Sequence, residues 1–310
     1  MKKVLLLFAL LGLFTGCGQQ KSAPAVALVM KTLNNPFFMD MQQGAEEAAK
    51  ELQLPIIVQA AERELDVEKQ MQIIENLIQR KVAAICLTPA GSREVIPAIL
   101  KANRAGIPVL ILDTRVDSTA LAEAGGKVAT FIGSDNYDGG RLAGERIIEK
   151  LGGAGRVAVL EGIPGHETGD SRLRGFHAAV DKAPGIRIVS SQTANWERDQ
   201  GYNVFQNILQ SHPDLQAVFG CNDMMALGAV EAIAAAGRSA DILVVGFDAI
   251  TDAREAIAAG RMEASIAQNP REMGRLAVEN AARLMRGEAI PAYIPVRIEL
   301  VEKNSNVQSK

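Results

Sequence analysis

Side chains able to hydrogen-bond a small molecule recur where apolar runs end along this chain. "VALVMKTLNNPFF" closes its run with Lys31 and adds Asn35, Phe37 and Phe38. "ICLT" closes on Thr88, and "LILDT" on Asp113 and Thr114. Further along, "GDSRLRGF" carries Arg172, "TANWERDQG" the single Trp, Trp196, and "VFGCND" Asn222. "VVGFD" ends on Asp248 and "SIAQNP" supplies Gln268. Amides, carboxylates and cations offer many donors and acceptors, with aromatic rings among them. Asp113 and Asp248 set against Lys31 and Arg172 make the collection nearly neutral. Such a set suits an uncharged molecule studded with hydroxyls. Each hydroxyl both gives and accepts a hydrogen bond, and the C–H face of a sugar ring lies well on an aromatic side chain. A wrong epimer would leave buried partners unpaired at about 1–3 kcal/mol each.

The same residues have local uses. Asp and Asn favour helix caps, so Asn222 also suits the start of "DMMALGAVEAI" and Asp135 and Asn136 the start of "YDGGRLAGE". Phe37 and Phe38 also fit a core. Other chemistries find less support. The first apolar run is not followed by Gly-x-Gly-x-x-Gly, and the chain carries no phosphate loop or nucleophile elbow. His166, His177 and His212 lack metal-ligand spacing, so neither an enzyme nor a cofactor is expected. A net charge of −3 without a basic stripe gives no reason to expect nucleic acid. Cys86 and Cys221 end apolar runs and read as small buried thiols, not a disulfide framework.

The elements that must position these residues follow from the apolar runs. Strands are expected at 25–30, 56–60, 83–88, 108–113, 128–133, 156–161, 186–191, 216–221, 242–247 and 262–267. Helical patterns fill most of the gaps, one of them "PFFMDMQQGAEEAAKEL" with Pro36 at its first turn, where a missing N–H costs nothing. Strands alternating with helices imply an α/β fold with parallel sheets covered on both faces. In such sheets ligands bind beyond the carboxyl ends of the strands, where the residues above stand. An echo divides the chain. Cys86 precedes Asp113 by 27 residues, and Cys221 precedes Asp248 by the same 27. Two similar α/β units explain this most simply, and 310 residues suffice for two domains.

The first residues are a separate matter. Lys2 and Lys3 precede an apolar run from Val4 to Phe14, too short to cross a bilayer at about 20 residues. Residues 1–16 read as an export signal. "LFTGC" resembles a bacterial lipobox, with Phe14 in place of the usual Leu, and makes Cys17 the expected site of lipidation. Residues 17–24 form a tether, and the acyl chains on Cys17 are the expected link to a membrane.

Taken together, "KTLNNPFF", "LILDT", "FIGSDN", "SRLRGF", "QTANWERDQGYNVFQNIL", "AVFGCNDMMALGAV", "VVGFD" and "IAQNP" resemble the periplasmic sugar-binding proteins of ABC transporters. Within them the ribose and allose branch of the type I family is the nearest. The resemblance covers nearly everything after residue 24. It implies two Rossmann-like lobes with parallel sheets, joined by a three-segment hinge: 25–134 with 269–297, and 135–268 with 298–310. It implies a monosaccharide held between the lobes and delivered to ABC permease subunits, and it leaves open a chemotaxis receptor as a second partner. By the same resemblance Asn35, Phe37, Phe38, Asp113, Arg172, Asn222, Asp248 and Gln268 match sugar-contacting positions. Lys31, Thr88, Thr114 and Trp196 depart from the ribose pattern, where Ser, Asn, Arg and Phe stand. Lys31, Trp196 and "LDTRVD" look more like the allose binders, so a hexose or an uncommon pentose is expected. Another polyol or a furanose-like signalling molecule is the alternative within the binding class. The effector domain of a sugar-responsive regulator is the alternative outside it, but such a chain would open with a DNA-binding helix-turn-helix where this one has an export signal.

Overall fold

A computed structural model describes residues 24–303; the expected export signal and Cys17 lie outside the described residues. The first half runs β1 (Val26–Met30), α1 (Pro36–Glu51), β2 (Ile56–Ala60), α2 (Val67–Gln79), β3 (Ala84–Leu87), α3 (Ile96–Arg104), β4 (Val109–Leu112), α4 (Ser118–Glu123) and β5 (Thr130–Gly133). The second half repeats the theme. It runs α5 (Asn136–Lys150), β6 (Ala154–Glu161), α6 (Glu167–Val180), β7 (Gly185–Thr193), α7 (Arg198–Ser211), β8 (Ala217–Gly220), α8 (Asp223–Ala235), β9 (Leu243–Asp248), α9 (Thr251–Ala258) and β10 (Ala264–Ala267). α10 (Pro270–Met285), β11 (Tyr293–Pro295) and β12 (Glu299–Glu302) close the described chain.

The strands form two six-stranded sheets, ordered β11-β5-β4-β3-β1-β2 and β12-β10-β9-β8-β6-β7. Strand for strand the orders are the same once β1–β5 are matched to β6–β10, so the echo of the sequence is a repeat of topology. Pairing is parallel except where β12 runs antiparallel to β10. β1, Val-Ala-Leu-Val-Met, is buried along its whole length, as a parallel strand covered on both faces must be. Its alternate residues feed two cores: Val26, Leu28 and Met30 join one, Ala27 and Val29 the other.

Each lobe borrows a helix. α5 follows β5 of the first sheet yet packs on α6 and on β8, β9, β10 and β12 of the second. α10 follows β10 of the second sheet yet packs on α1 and on β3, β4 and β5 of the first. Glycines allow both helix pairs to cross with backbones in contact. A Cβ on Gly44 would stand 1.9 Å from the carbonyl oxygen of Arg271, and one on Gly140 1.9 Å from that of Arg172. With β11 and β12, these exchanges carry the chain between the sheets three times: after β5, after β10 and between β11 and β12.

The ten strands expected from the sequence are present, with ends shifted by a few residues. β11 and β12 were not expected. β11 is three residues long and ends in Pro295, and so short a segment carries no periodicity to read.

Candidate functional site

The carboxyl ends of the two sheets face each other across a narrow space with about 270 Å³ free between the atoms. The first lobe lines it with Lys31, Asn35, Phe37, Phe38, Glu64 and Asp113, and the second with Thr168, Arg172, Trp196, Asn222, Asp248 and Gln268. Of the side chains singled out at the ends of the apolar runs, all line this space except Thr88 and Thr114; the Thr114 hydroxyl is bound to Lys31 and Thr168. Thr88 is fully buried behind the wall. Its hydroxyl accepts from the Lys31 backbone N–H at 3.1 Å and donates to the Val29 carbonyl at 3.3 Å. It therefore shapes the start of the Lys31 loop and does not face the cavity.

Lys31 is the hub of the first lobe. Its Nζ donates to Thr114 Oγ1 at 2.7 Å and to Asp113 Oδ2 at 3.3 Å, and lies 3.7 Å from Glu64 Oε2. Asn35 caps α1, its Oδ1 accepting from the Phe37 N–H at 3.0 Å, and this turns both Phe rings inward. The rings meet edge to face with centroids 5.3 Å apart, an arrangement favoured by the aromatic quadrupole.

Arg172 is the matching hub of the second lobe. Its Nη1 donates to the Cys221 carbonyl at 2.6 Å, and its Nε to Asn136 Oδ1 at 2.9 Å. The guanidinium carbon sits 3.7 Å from the Phe247 ring centroid and 5.7 Å from that of Trp196. Asp248 Oδ1 accepts from Gln268 Nε2 at 2.7 Å and lies 3.8 Å from Arg172. Asn222 caps α8 through Met225 N–H at 2.9 Å and donates to the Trp196 carbonyl at 3.1 Å. Trp196 is packed over Gly162, where a Cβ would lie 1.9 Å from the indole Cζ2. Asn136, which the sequence assigned to capping, instead orients Arg172; Asp135 is the cap of α5.

Several buried polar atoms have no protein partner, among them Trp196 Nε1, Gln268 Oε1 and His166 Nδ1. Two of the three belong to side chains that line the cavity. Unpaired groups of this kind are costly in a finished core and are expected where a ligand completes the hydrogen bonding.

The electrostatic reading of the sequence needs one correction. Glu64 adds a third carboxylate, so three acids face Lys31 and Arg172. Burial pushes Glu64 above the usual carboxylate range, against the pull of Lys31. Burial also pushes Asp248 well above it, with Arg172 opposing and the neighbouring Asp223 adding to the shift. Both shifts favour the uncharged form of the acid and so act against the excess of negative charge. Glu64 lies in the loop after β2, four residues past the strand in "QAAERELD", whereas Lys31 follows β1 directly. Thr168 has no strand-end signal either, because it lies on the first turn of α6.

The lobes touch at several points around the cavity. Thr168 Oγ1 donates to Thr114 Oγ1 at 2.9 Å, and the Glu167 N–H to Ser92 Oγ at 3.2 Å. Arg63 pairs with Glu197 at 3.5 Å. His166, the residue before α6, is buried beside them, and burial, with Lys31 adding, pushes its imidazole down to about 4.

Two α/β lobes with a polar, ring-lined space between their strand ends define a ligand-binding protein of the periplasmic type. The family model described as a periplasmic binding protein domain matches residues 26–289, and the chain belongs to that family. It is 39% identical over 275 residues to the ribose import binding protein RbsB of Bacillus subtilis, covering 89% of this chain and 86% of that one. It is 38% identical to the D-allose-binding periplasmic protein of Escherichia coli, covering 82% of each. Among solved structures, a solute binding protein of an ABC transporter from Actinobacillus succinogenes with bound D-allose superposes with a TM-score of 0.86 at 43% identity, over 90% of this chain and 98% of that one. Like these relatives the chain is a binding protein and not an enzyme. Among the described residues no helix is long and apolar enough to cross a membrane.

Proposed function

We propose that this protein captures a neutral monosaccharide between its lobes and delivers it to the permease of an ABC importer. The observation that carries this reading is the space between the two sheets. Its polar groups come from both lobes, two of its side chains hold buried polar atoms without partners, and Phe37, Phe38 and Trp196 supply ring faces. Asp113 and Asp248 accept from hydroxyls, Arg172 and Lys31 donate to them, and closure removes the guest from water. An aldohexose of the allose type is favoured over ribose, because Lys31 and Trp196 stand where the ribose pattern differs and because a 43% identical structure holds D-allose. The lipid on Cys17 would keep the protein at the outer face of a bacterial membrane.

The test is a set of thermal melts with a panel of aldoses, amino acids and small anions. A ligand that binds only the native state raises the midpoint. One or two neutral aldoses should do so. A shift with an amino acid or an anion and with no aldose would assign the site to another substrate class.

A further inference from the structure

We propose that Asp223, together with Ser265, is the positioning residue for Asp248: it holds the turn after β9 in the backbone that aims the Asp248 carboxylate into the cavity. The proposal rests on the reading of that cavity as a monosaccharide site and adds to it a residue that lies behind the wall.

Asp223 is fully buried and does not line the cavity. It opens α8, but the start of that helix is already capped by Asn222, whose Oδ1 accepts from the Met225 N–H. Both carboxylate oxygens of Asp223 bond away from their own helix. Oδ2 accepts from the Ile250 N–H at 2.9 Å, and Oδ1 from Ser265 Oγ at 2.7 Å. Ser265 Oγ in turn accepts from the Ala249 N–H at 2.9 Å. One carboxylate thus holds the two amides that follow Asp248, the second directly and the first through a hydroxyl. On the outer side of the turn, Arg254 Nε donates to the Ala249 carbonyl at 2.7 Å. β9 is shaped to admit the acid: a Cβ on Gly246 would stand 2.0 Å from Asp223 Oδ1.

The turn needs such a brace. Asp248 and Ala249 are consecutive non-glycine residues with φ of 116° and 52°, and backbone of this kind persists only where its surroundings fix it. The first lobe does this differently. Cys86, Thr88 and Asp113 repeat the spacing of Cys221, Asp223 and Asp248. Yet Thr88 bonds to Val29 and Lys31, and the turn at Asp113 closes on its own strand, the Thr114 N–H donating to the Leu112 carbonyl at 2.6 Å. An acid at the matched place in the second lobe is unfavourable in itself. Burial pushes the Asp223 carboxyl up to about 7, against its hydrogen bonds, and Asp248 is a second acid beside it. What the carboxyl group brings is two separate acceptor oxygens, so that it reaches Ile250 and Ser265 at once.

Calorimetric titration with D-allose and D-ribose tests the role. An unfolded fraction lowers the number of sites, whereas a displaced Asp248 weakens the affinity of the folded ones. Asp223→Ala should weaken binding of the tighter sugar about ten- to hundredfold. Ser265→Ala should weaken it about three- to tenfold, and carries the test if Asp223→Ala folds poorly. Asp223→Asn keeps an oxygen for Ile250 and should recover most of the affinity. Asp248→Gly removes the carboxylate and accepts left-handed backbone. In that background Asp223→Ala and Ser265→Ala should each change the affinity by less than about twofold, because nothing is left to aim. Wild-type affinity in both single variants, with only the melting midpoint lowered, would make Asp223 a purely structural acid and overturn the proposal. Losses that persist undiminished in the Asp248→Gly background would overturn it as well. If neither sugar binds the wild type, the monosaccharide reading fails and the positioning role with it.

Discussion

Asp113 and Asp248 occupy matched places in the two lobes and line the cavity from opposite sides. Asp113 follows β4 and Asp248 ends β9, and both have left-handed backbone, with φ of 60° and 116°. Non-glycine residues held in such regions cost about 1–3 kcal/mol each and persist where the surroundings over-determine them. Asp113 is held by Lys31 and Thr114, and Asp248 by Gln268 and Arg172. The strain is spent on aiming two carboxylates into one space.

Asp113→Asn should therefore separate folding from binding. Asn tolerates left-handed backbone, so the melting midpoint without ligand should move little. The loss of a charged acceptor should weaken sugar binding about ten- to hundredfold. Full retention of the sugar-induced midpoint shift in this variant and in Asp248→Asn would show that neither carboxylate touches the ligand.

The single Trp reports on the site. Because Trp196 lines the cavity, titration with a bound aldose should change the intrinsic fluorescence of the protein, and Trp196→Phe should remove that signal. Gly162→Ala should weaken binding as well, since its Cβ would sit 1.9 Å from the indole. An unchanged affinity in Gly162→Ala would mean that the ring is free to move.

Acid should loosen the structure through His166. In the fold its imidazole protonates only at about pH 4, against about 6.5 when exposed. The fold prefers the neutral form, so this contribution is complete above pH 6.5 and is lost as the pH falls toward 4. At that limit it is worth up to about 3 kcal/mol. Glu64, Glu167 and Asp248 act in the opposite sense, because their carboxyls are raised by burial and acid relieves the cost of their charge. The measurement is thus the difference in midpoint between wild type and His166→Gln from pH 7.5 to 4.5. The wild type should lose more over that interval; parallel curves would remove His166 from the account.

Cys17 offers a test of location. If Cys17 carries the proposed acyl chains, Cys17→Ser should shift the protein from the membrane fraction of expressing bacteria to the soluble fraction, since such chains would supply the membrane affinity. An unchanged distribution would rule out that anchor.

Much of this was legible from local signals. Asn35 and Pro36 announce the start of α1, and the all-apolar Val26–Met30 run announces a strand buried on both faces. Because parallel strands present their carboxyl ends at one edge, reading the residue after each strand found Lys31, Asp113, Asn222 and Asp248. Glu64 was missed because it stands four residues beyond the end of β2, in a loop that the strand-end reading does not reach.

Sequence by itself determined the elements, the repeat and most of the residues that meet in the cavity, because hydrophobic periodicity, caps and strand ends are local properties. Tertiary structure decided what depends on neighbours distant in the chain. It set Thr88 behind the wall with its hydroxyl bound to backbone, brought Thr168 against Thr114 across 54 residues, and exchanged α5 and α10 between the lobes. It also decided the charge of the site, since three carboxylates and two cations acquire their proton balance only from the burial and the distances that the folded lobes impose.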